Sequence, residues 1–398
     1  MPKISIVLTS FNHAEYIAES IESILNQTYG DFELIIWDDA SADNSWEIIQ
    51  SYNDSRIRSF RNDVRKIGTY GVNKAISEVA NGEYIAIHHS DDVWEIDRLE
   101  KQVPFLDSDD KLGAVFSRAQ IIDGQGNPFT DESHFYYNIF NQPNRSRFEW
   151  LRFFFDNGNA LCHPSVLIRK RAYADCGTYR YGLSQLPDFD MWIRLTLKYE
   201  ILVLSDKLVR FRFRGDEINT SGSNIENQLR FAFEYSLILE NFLQISSVDE
   251  LLSVFPEARK YCNGENPQIQ YALAMAMLEL QPFPSTIQFA LNTLFKIINT
   301  PQSKSSLHFD DREYTKLTGK YDPLRLKFIA EKDSQISNLI GTLNLRDSQI
   351  AALSTELGEV RLALFEVTGR YNAVINSNSW RVLEPLRSIK SKLTGSSL

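Results

Sequence analysis

The chain has 398 residues, with 42 Lys plus Arg against 52 Asp plus Glu, so its formal net charge is -10. This acidic balance argues against binding to nucleic acid, because phosphates require a basic protein surface. A chain of this length is expected to form two or three structural units.

Cysteine usage and hydropathy predict the compartment. Cys162, Cys176 and Cys262 lie far apart and form no C-x-x-C pair, which predicts a reducing cytoplasm and neither a zinc nor a disulfide site. No apolar stretch approaches the ~18 residues that a membrane-spanning helix needs, so any membrane contact is expected to be peripheral.

The first 90 residues alternate short apolar runs with amphipathic segments, a pattern typical of βαβ units. Apolar residues recur at helical spacing from Ile17 to Leu25, and a capping signal at 41–43 predicts a second helix. The apolar runs predict strands at 4–8, 33–37, 57–60 and 84–88. We therefore predict an α/β fold with a mostly parallel, Rossmann-like sheet.

The mixed pattern continues to a predicted domain boundary near Asn227. A cluster of turn-forming residues at 123–128 predicts the end of a hairpin. Further strands are predicted at 113–117, 165–169, 201–204 and 208–213, and helices at 148–155 and 188–198. The first domain is thus expected to span 1–227.

Residues 228–322 are predicted to form a helical spacer or packing module. Apolar-rich helical segments at 229–243, 271–280 and 287–298 are interrupted by prolines, and no residue cluster in them indicates chemistry.

Apolar residues recur every seven positions through 323–376, which predicts a coiled coil. Lys332 and Arg346 fall on this seam, where a basic residue weakens the core and can fix register or oligomer state. We expect a homo-oligomer through this helix; the alternative is a single amphipathic helix folded back on the body. The apolar seam consists of Ile329, Ile336, Leu343, Ile350, Leu357, Leu364 and Tyr371, with Leu339, Leu353, Val360, Val367 and Val374 three residues on.

Residues 377–398 form a basic, amphipathic tail. Four basic residues and one acid between Ser379 and Lys392 lie beside Trp380, Leu383, Leu386 and Ile389. This composition predicts peripheral contact with the inner face of the plasma membrane. The alternative is a short, frayed and solvated end.

The fourth predicted strand is followed by Ser90 and two adjacent carboxylates, Asp91 and Asp92. Carboxylates at the carboxyl end of a strand suit a hard cation that also holds a phosphorylated ligand. The alternative is that these residues only cap the next helix. Thr9 and Asp39 follow two other strands that are expected to be neighbours, at the edge where open α/β sheets bind ligands.

Several segments together resemble the family 2 glycosyltransferases, which have the nucleotide-sugar-binding GT-A fold. Together these segments are more specific than any single motif, and the resemblance extends from residue 1 to about 220. In the order of the family, they are 5–12, 23–29, 32–43, 81–86 and the Ser90-Asp91-Asp92 turn.

The resemblance implies a donor site at the ends of the first strands. In the family, the carboxylate that matches Asp39 accepts a hydrogen bond from the imide N–H of a uracil or thymine ring, and the resemblance implies the same role here. The alternative is that Asp38 and Asp39 merely cap the helix that starts near Asn44. The other donor-binding residues are expected at Thr9, Asn12, Arg61, Ser90 and Asp92.

Asp91 matches the second acid of the family's D-x-D metal motif, whereas His89 stands in place of the first acid. The resemblance therefore implies Mg²⁺ or Mn²⁺ at Asp91, where the ion would stabilise the departing nucleoside diphosphate. The loss of one carboxylate is expected to change the affinity of the site for metal.

Transfer with inversion requires a base that takes the proton from the acceptor hydroxyl. The resemblance places this base at Asp188, with Pro187 where many relatives have Glu, and Asp190 as a second candidate. The alternative is that Asp188 is a helix N-cap. A helix N-terminus is also expected to lower the pKa of Asp188 and so weaken it as a base.

Two further residues complete the predicted site. His163 matches another family segment and is expected on the acceptor or diphosphate side; the alternative is a satisfied histidine at a strand start. Arg214 stands where many relatives carry a histidine, and its guanidinium could pair with phosphate.

These residues and the resemblance predict an inverting glycosyltransferase. It would move a sugar from a UDP- or dTDP-sugar donor to a glycan or lipid-linked acceptor hydroxyl in surface polysaccharide biosynthesis. One alternative is a sugar nucleotidyltransferase, which would be expected to carry a Gly-rich, basic triphosphate loop unlike 9–13. The other is a noncatalytic coiled-coil scaffold with a degenerate metal motif.

Overall fold

The computed structural model describes residues 1–66, 68–215, 224–262, 268–300 and 309–378, together with 380, 381, 385 and 387. The chain divides into two compact units, Met1–Leu324 and Arg325–Leu398. Among the described residues, no helix combines the length and the apolar character that crossing a membrane requires.

A mixed sheet forms the centre of the first unit, with its strands in the order β3-β2-β1-β4-β7-β6-β8-β5. β1 pairs in parallel with β2 and β4, β2 with β3, and β6 with β8, whereas β7 runs antiparallel to both its neighbours and β5 antiparallel to β8. The predicted α/β class is confirmed. The strands are β1 (Ile4–Ser10), β2 (Phe32–Asp38), β3 (Ile57–Arg61), β4 (Tyr84–His89), β5 (Val93–Trp94), β6 (Leu112–Ile122), β7 (Leu167–Arg169) and β8 (Glu200–Arg212).

Helices cover both faces of this sheet. Because successive side chains of a strand point to opposite faces, Leu8 packs in one core with Ile21, whereas Val7 packs in the other with Trp192. The helices of this part are α1 (Ile17–Leu25), α2 (Ser45–Ser51), α3 (Tyr70–Lys74), α4 (Arg98–Ser108), α5 (Arg147–Asn157), α6 (Lys170–Cys176) and α7 (Pro187–Thr196).

Two local predictions differ from the structure. The strands predicted at 201–204 and 208–213 form the single strand β8, because the exposed residues 205 and 206 are only a register shift, after which pairing with β6 resumes at Lys207. The turn at 123–128 closes one antiparallel bridge, Ile122 to Pro128, instead of a full hairpin.

The helices after residue 227 pack on the same apolar core as the sheet. The ring of Phe155 in α5 lies 6.0 Å from that of Phe242 and 5.0 Å from that of Phe255. Residues on both sides of the predicted boundary at 227 therefore share one core. That the catalytic domain ends near residue 227 stays a prediction. These helices are α8 (Ile225–Ile238), α9 (Val248–Val254), α10 (Ile269–Leu280), α11 (Pro284–Ile298) and α12 (Asp311–Lys320).

The second unit contains one long helix, α13 (Leu326–Ile375). At 1.5 Å per residue, its 50 residues extend about 75 Å. None of its residues is buried. Most of the tail predicted at 377–398 lies outside the described residues.

Candidate active site

The carboxyl ends of β1, β2 and β4 meet at one edge of the sheet. Thr9 of β1 lies opposite Trp37 of β2 on one side and His89 of β4 on the other. The backbone N–H of Asp39 donates to the carbonyl of Ser10 at 2.8 Å, so the first residue after β2 is held against the end of β1. The predicted neighbourhood of Thr9 and Asp39 is thus observed.

Polar side chains join the loops that follow β1 and β2. Asn12 has a φ of 53°, and its Oδ1 accepts the N–H of Ala42 at 2.8 Å. The N–H of Asn12 donates to Ser41 Oγ at 2.9 Å, and the N–H of His13 donates to Ser45 Oγ at 2.9 Å. Asn12 therefore fixes one loop against the other.

Asp39 receives hydrogen bonds from the loop that follows β3. Its Oδ1 accepts from Asn62 Nδ2 at 2.7 Å and from the backbone N–H of Lys66 at 2.8 Å. Helix α2 has Asn44 at its N-cap, so the interpretation of Asp38 and Asp39 as helix caps is wrong.

Arg61, at the end of β3, contacts the loop after β2. Its Nε lies 3.3 Å from Asp38 Oδ2, and its Nη2 donates to the carbonyl of Ser41 at 2.6 Å. Arg61 therefore holds the segment that carries Asp39.

The side chains of the Ser90-Asp91-Asp92 turn take three different partners. Ser90 Oγ lies 2.7 Å from His13 Nδ1, and Asp91 Oδ2 lies 3.1 Å from Arg214 Nη2. Asp92 is buried, and its Oδ1 accepts the N–H of Arg212 at 2.8 Å. Since β5 follows this turn and Asp97 is the N-cap of α4, the helix-cap alternative is wrong.

Arg212 anchors this turn from the end of β8. Its Nε donates to the carbonyl of Asp91 at 2.7 Å, and its Nη2 contacts Glu19 Oε2 at 2.7 Å. The guanidinium is almost fully buried. The position of Asp91 is therefore set by the strand that leads into Arg214.

The side chains around Asp91 that could ligate a metal determine whether a divalent ion fits. No cluster of three or more His, Cys, Asp or Glu side chains among the described residues is arranged to hold a metal. Mg²⁺, however, usually binds through one or two carboxylates plus substrate phosphates. Asp91 is partly exposed and supplies one such carboxylate, so the site suits an ion that arrives with a phosphorylated ligand.

Two histidines and a tyrosine extend from Asp92 into the protein. His89 Nδ1 lies 3.5 Å from Asp92 Oδ2, and His89 Nε2 lies 3.3 Å from His163 Nδ1. His163 Nε2 lies 2.8 Å from the hydroxyl of Tyr179. His163 thus has a partner on both ring nitrogens, and it joins the β4 end to the segment before α7.

Burial and charge shift the pKa values in this row. Burial raises the pKa of Asp92 to about 6, with the charge of Asp91 adding to it and His89 opposing it. Burial disfavours protonation of His89, but its contact with Asp92 raises its pKa overall. Burial, with a smaller effect of His89, holds the pKa of His163 well below its usual value. His163 is therefore neutral near pH 7.

Asp188 lies in the first turn of α7 and is not its N-cap, which is Leu186. Its Oδ1 accepts the N–H of Phe189 at 2.8 Å, and its Oδ2 accepts from Asn159 Nδ2 at 2.9 Å. Burial raises its pKa to about 6, although these hydrogen bonds and the nearby His89 oppose the shift. The expectation of a lowered pKa is wrong because burial outweighs the helix N-terminus.

Asp190, the second candidate base, is fully buried in an ion-pair cluster. Its Oδ2 lies 2.8 Å from Arg194 Nη2, and its Oδ1 lies 3.1 Å from Arg180 Nη1 and accepts from Asn241 Nδ2 at 2.8 Å. These contacts fix α7 and engage Asp190, whereas Asp188 is the acid of this pair that interacts electrostatically with His89.

Contacts thus link the predicted residues around β1, β2 and β4, and Asp188 is related to them through its electrostatic interaction with His89. The loops with Asn12 and Asp39 meet the 90–92 turn through His13, and that turn meets Arg214. The predictions did not include His13, Tyr179 or Asn159. His13 directly follows the predicted segment after β1, so a polar residue at a strand end was the available signal; the other two become visible only through long-range contacts.

The fold has counterparts among solved structures. The structure of S. aureus TarS 1-349 in complex with UDP-GlcNAc superimposes with a TM-score of 0.52 at 16% identity, covering 80% of this chain and 91% of that one. A second structure of S. aureus TarS 1-349 gives a TM-score of 0.50 at 17% identity, covering 74% of this chain and 83% of that one. This likeness places the chain in the GT-A fold class.

The family follows from sequence comparison. Residues 5–174 match the model of Glycosyl transferase family 2. An uncharacterized glycosyltransferase of Methanocaldococcus jannaschii is 30% identical over 216 residues, which cover 53% of this chain and 71% of that protein. The chain belongs to glycosyltransferase family 2, and the sequence prediction of that family is confirmed.

A second relative is the Escherichia coli UDP-Glc:alpha-D-GlcNAc-diphosphoundecaprenol beta-1,3-glucosyltransferase WfaP. It is 37% identical over 109 residues, which cover 27% of this chain and 43% of WfaP. The similarity to WfaP is therefore confined to less than half of that protein.

Proposed function

We propose that this enzyme is an inverting glycosyltransferase that moves a sugar from a UDP- or dTDP-sugar to a hydroxyl of a glycan or lipid-linked acceptor in surface polysaccharide biosynthesis. The similarity to WfaP supports the donor and acceptor classes, since its name states UDP-Glc and a diphosphoundecaprenol-linked sugar. The observation that carries the proposal is Asp188, a carboxylate whose pKa is raised to about 6 by burial and that interacts electrostatically with His89, the last residue of β4.

The nucleobase would bind at Asp39. This carboxylate already accepts N–H groups from Asn62 and Lys66, and an imide N–H of uracil or thymine is a donor of the same kind. Thr9, Asn12 and Arg61 would form and hold the surrounding loops. Because both bases carry this N–H, the contact leaves UDP and dTDP as equal candidates.

The diphosphate would bind beside the paired side chains of Asp91 and Arg214, whose nearest charged atoms lie 3.1 Å apart. A Mg²⁺ or Mn²⁺ ion held by Asp91 would neutralise charge on the departing nucleoside diphosphate. Arg214 would offer a planar guanidinium to the phosphate oxygens. Ser90, held by His13, and Asp92, held by Arg212, would fix the turn that presents Asp91.

Asp188 would accept the proton of the acceptor hydroxyl. As the acceptor oxygen bonds to the anomeric carbon, the bond from that carbon to the diphosphate oxygen breaks, and the hydroxyl proton passes to Asp188. A pKa of about 6 leaves Asp188 largely ionised at pH 7 yet more basic than an ordinary carboxylate. His163 would line the acceptor side through its contacts with His89 and Tyr179.

Transfer assays with a panel of nucleotide sugars test this proposal. We expect a UDP- or dTDP-sugar to raise the melting temperature and to be consumed, with inverted anomeric configuration in the product by NMR. A GDP-sugar as the sole donor, or retention of configuration, would contradict it. Membership of glycosyltransferase family 2 argues against the nucleotidyltransferase alternative. Release of nucleoside diphosphate from the donor by wild type but not by Asp188→Asn would exclude the noncatalytic scaffold.

We further propose that the enzyme works in the cytoplasm at the inner face of the membrane, where lipid-linked acceptors are accessible. The basic residues and Trp380 in the tail at 377–398 support this, since such segments bind anionic lipid surfaces. Flotation with anionic liposomes should fall when the chain is truncated before Ser379; equal flotation would contradict the proposal.

A further inference from the structure

The long helix α13 carries an apolar seam that no described residue of its own unit covers. Its apolar seam positions are each between 49% and 68% exposed along the helix. An exposed apolar stripe of this length, interrupted only at Lys332 and Arg346 among these seam positions, marks an interaction surface. With heptad spacing, the matching surface is the seam of another helix. The exposed seam consists of Ile329, Ile336, Leu339, Leu343, Ile350, Leu353, Leu357, Val360, Leu364, Val367, Tyr371 and Val374.

We infer that α13 pairs with α13 of a second copy of this chain, parallel and in register, as a two-stranded coiled coil. In heptad terms, Ile329 begins the a positions and Lys332 the d positions. The positions of the charged residues around the seam indicate that the partner helix is a second copy of α13 and that the two helices are parallel.

Both basic seam residues have an acid at the next position. Lys332 is followed by Asp333, and Arg346 by Asp347, so each basic d residue precedes an acidic e residue. In a parallel, in-register pair, a d side chain inserts beside the e residue of the same heptad on the facing helix. Each cation would therefore meet the carboxylate of its partner copy.

A third pair lies further along the helix. Glu356 occupies a g position and Arg361 the following e position, which face each other across a parallel coiled coil. In an antiparallel pair with matched ends, Glu356 would face Gln349 and Arg361 would face Ile340. The charge pattern therefore favours the parallel, self-complementary arrangement.

The seam also favours two strands. Ile336 with Leu339, and Ile350 with Leu353, place a β-branched residue at a and Leu at d, the combination typical of parallel dimers. Two helices leave the charged ends of Lys332 and Arg346 at the edge of the seam, whereas three or four would enclose them. Both catalytic units would then be attached at the same end of the rod, which raises their effective concentration at one glycan.

Disulfide trapping in the full-length protein tests orientation and register. Leu339→Cys and Val367→Cys are each expected to form a covalent dimer on mild oxidation, whereas wild type and Ser348→Cys, on the outer face of the helix, are not. Cross-linking only when the two seam variants are mixed would show antiparallel pairing and overturn the inference. Absence of cross-linking in all samples would overturn it as well.

Sedimentation equilibrium tests the stoichiometry and the charge pairs. We expect a dimer whose dissociation constant rises roughly tenfold in Glu356→Arg, because two attractive contacts become repulsive, and returns towards wild type in Glu356→Arg with Arg361→Glu. A monomer, trimer or tetramer at micromolar concentration would overturn the two-stranded assignment. Failure of the double variant to recover would overturn the parallel register.

Discussion

Glu234 of α8 accepts the backbone N–H of Leu186, the residue immediately before α7, at 2.8 Å. The same buried carboxylate accepts the N–H groups of Ser184 and Gln185, each at 2.8 Å. Asp188 lies in the first turn of α7. A helix beyond the region of family resemblance therefore fixes the loop that presents the proposed base.

Replacing Glu234 should misplace Asp188. In Glu234→Ala, three backbone donors lose a buried acceptor, and we expect a loss of about 2–4 kcal/mol of stability. We also expect kcat to fall roughly 10- to 100-fold with a smaller change in the donor KM. Steady-state kinetics and urea denaturation measure both. Exposed Glu226→Ala on the same helix is the matched control, and wild-type kcat in Glu234→Ala would refute the positioning role.

Asp188→Asn should lose activity and gain stability at neutral pH. We expect kcat to fall about 10³-fold, since general base catalysis is removed. Because burial raises the pKa of Asp188 to about 6, the folded protein binds this proton more tightly than the unfolded chain between pH of about 4 and 6. The ionised group therefore destabilises the fold above pH 6, and its removal should add about 1–2 kcal/mol there.

Denaturation at pH 5 and pH 7.5 measures this effect, with exposed Asp110→Asn as control. The gain should be larger at pH 7.5. A gain that is equal at both values, or a loss at pH 7.5, would contradict the assigned pKa.

The acidic limb of the rate profile should respond to Asn159. We expect kcat/KM to decline below a pH of about 6 as Asp188 becomes protonated. Asn159 donates to the carboxylate and favours its ionised form, so Asn159→Ala should move the midpoint upward by about 0.5 of a pH value. If the midpoint of the decline in kcat/KM stays unchanged in Asn159→Ala but moves in Asp92→Asn, the decline would be assigned to protonation of Asp92 instead.

Asp91 should govern the response to divalent metal. We expect EDTA to suppress transfer and Mn²⁺ or Mg²⁺ to restore it in wild type, whereas Asp91→Ala should lose about 100-fold or more in kcat/KM and respond little to metal. Asp110→Ala, a change at an exposed carboxylate, should behave as wild type. Full activity of wild type in EDTA would rule out the proposed role of Asp91.

Features that depend on short stretches of sequence, such as the strands and the polar residues that end them, could be predicted. β1, β2 and β4 are short apolar runs ended by polar residues, and parallel pairing then brings Thr9, Asp39 and the 90–92 turn to one edge. β5 escaped prediction because Val93 and Trp94 are only two residues, held by antiparallel pairing with β8.

The contacts that hold the site residues in position could not be predicted, because they join segments that are distant in the sequence. His89 was interpreted as a lost acid, and only its contact with His163 reveals the buried row that ends at Tyr179. The region after 227 was expected to be a spacer, yet Glu234 and Asn241 reach the start of α7. A carboxylate inside a helix carries no local signal of such a partner.

The contacts made by Glu234 and Asn241 also bear on how far the gene can be shortened. A fragment that stops where the family match ends, at residue 174, omits the proposed base. One that stops at 227 keeps Asp188 but lacks Glu234 and Asn241, which hold the neighbouring residues Leu186 and Asp190. The smallest piece that can turn over substrate should therefore reach well into the helical region, and Leu324, where the first compact unit ends, is the natural place to cut.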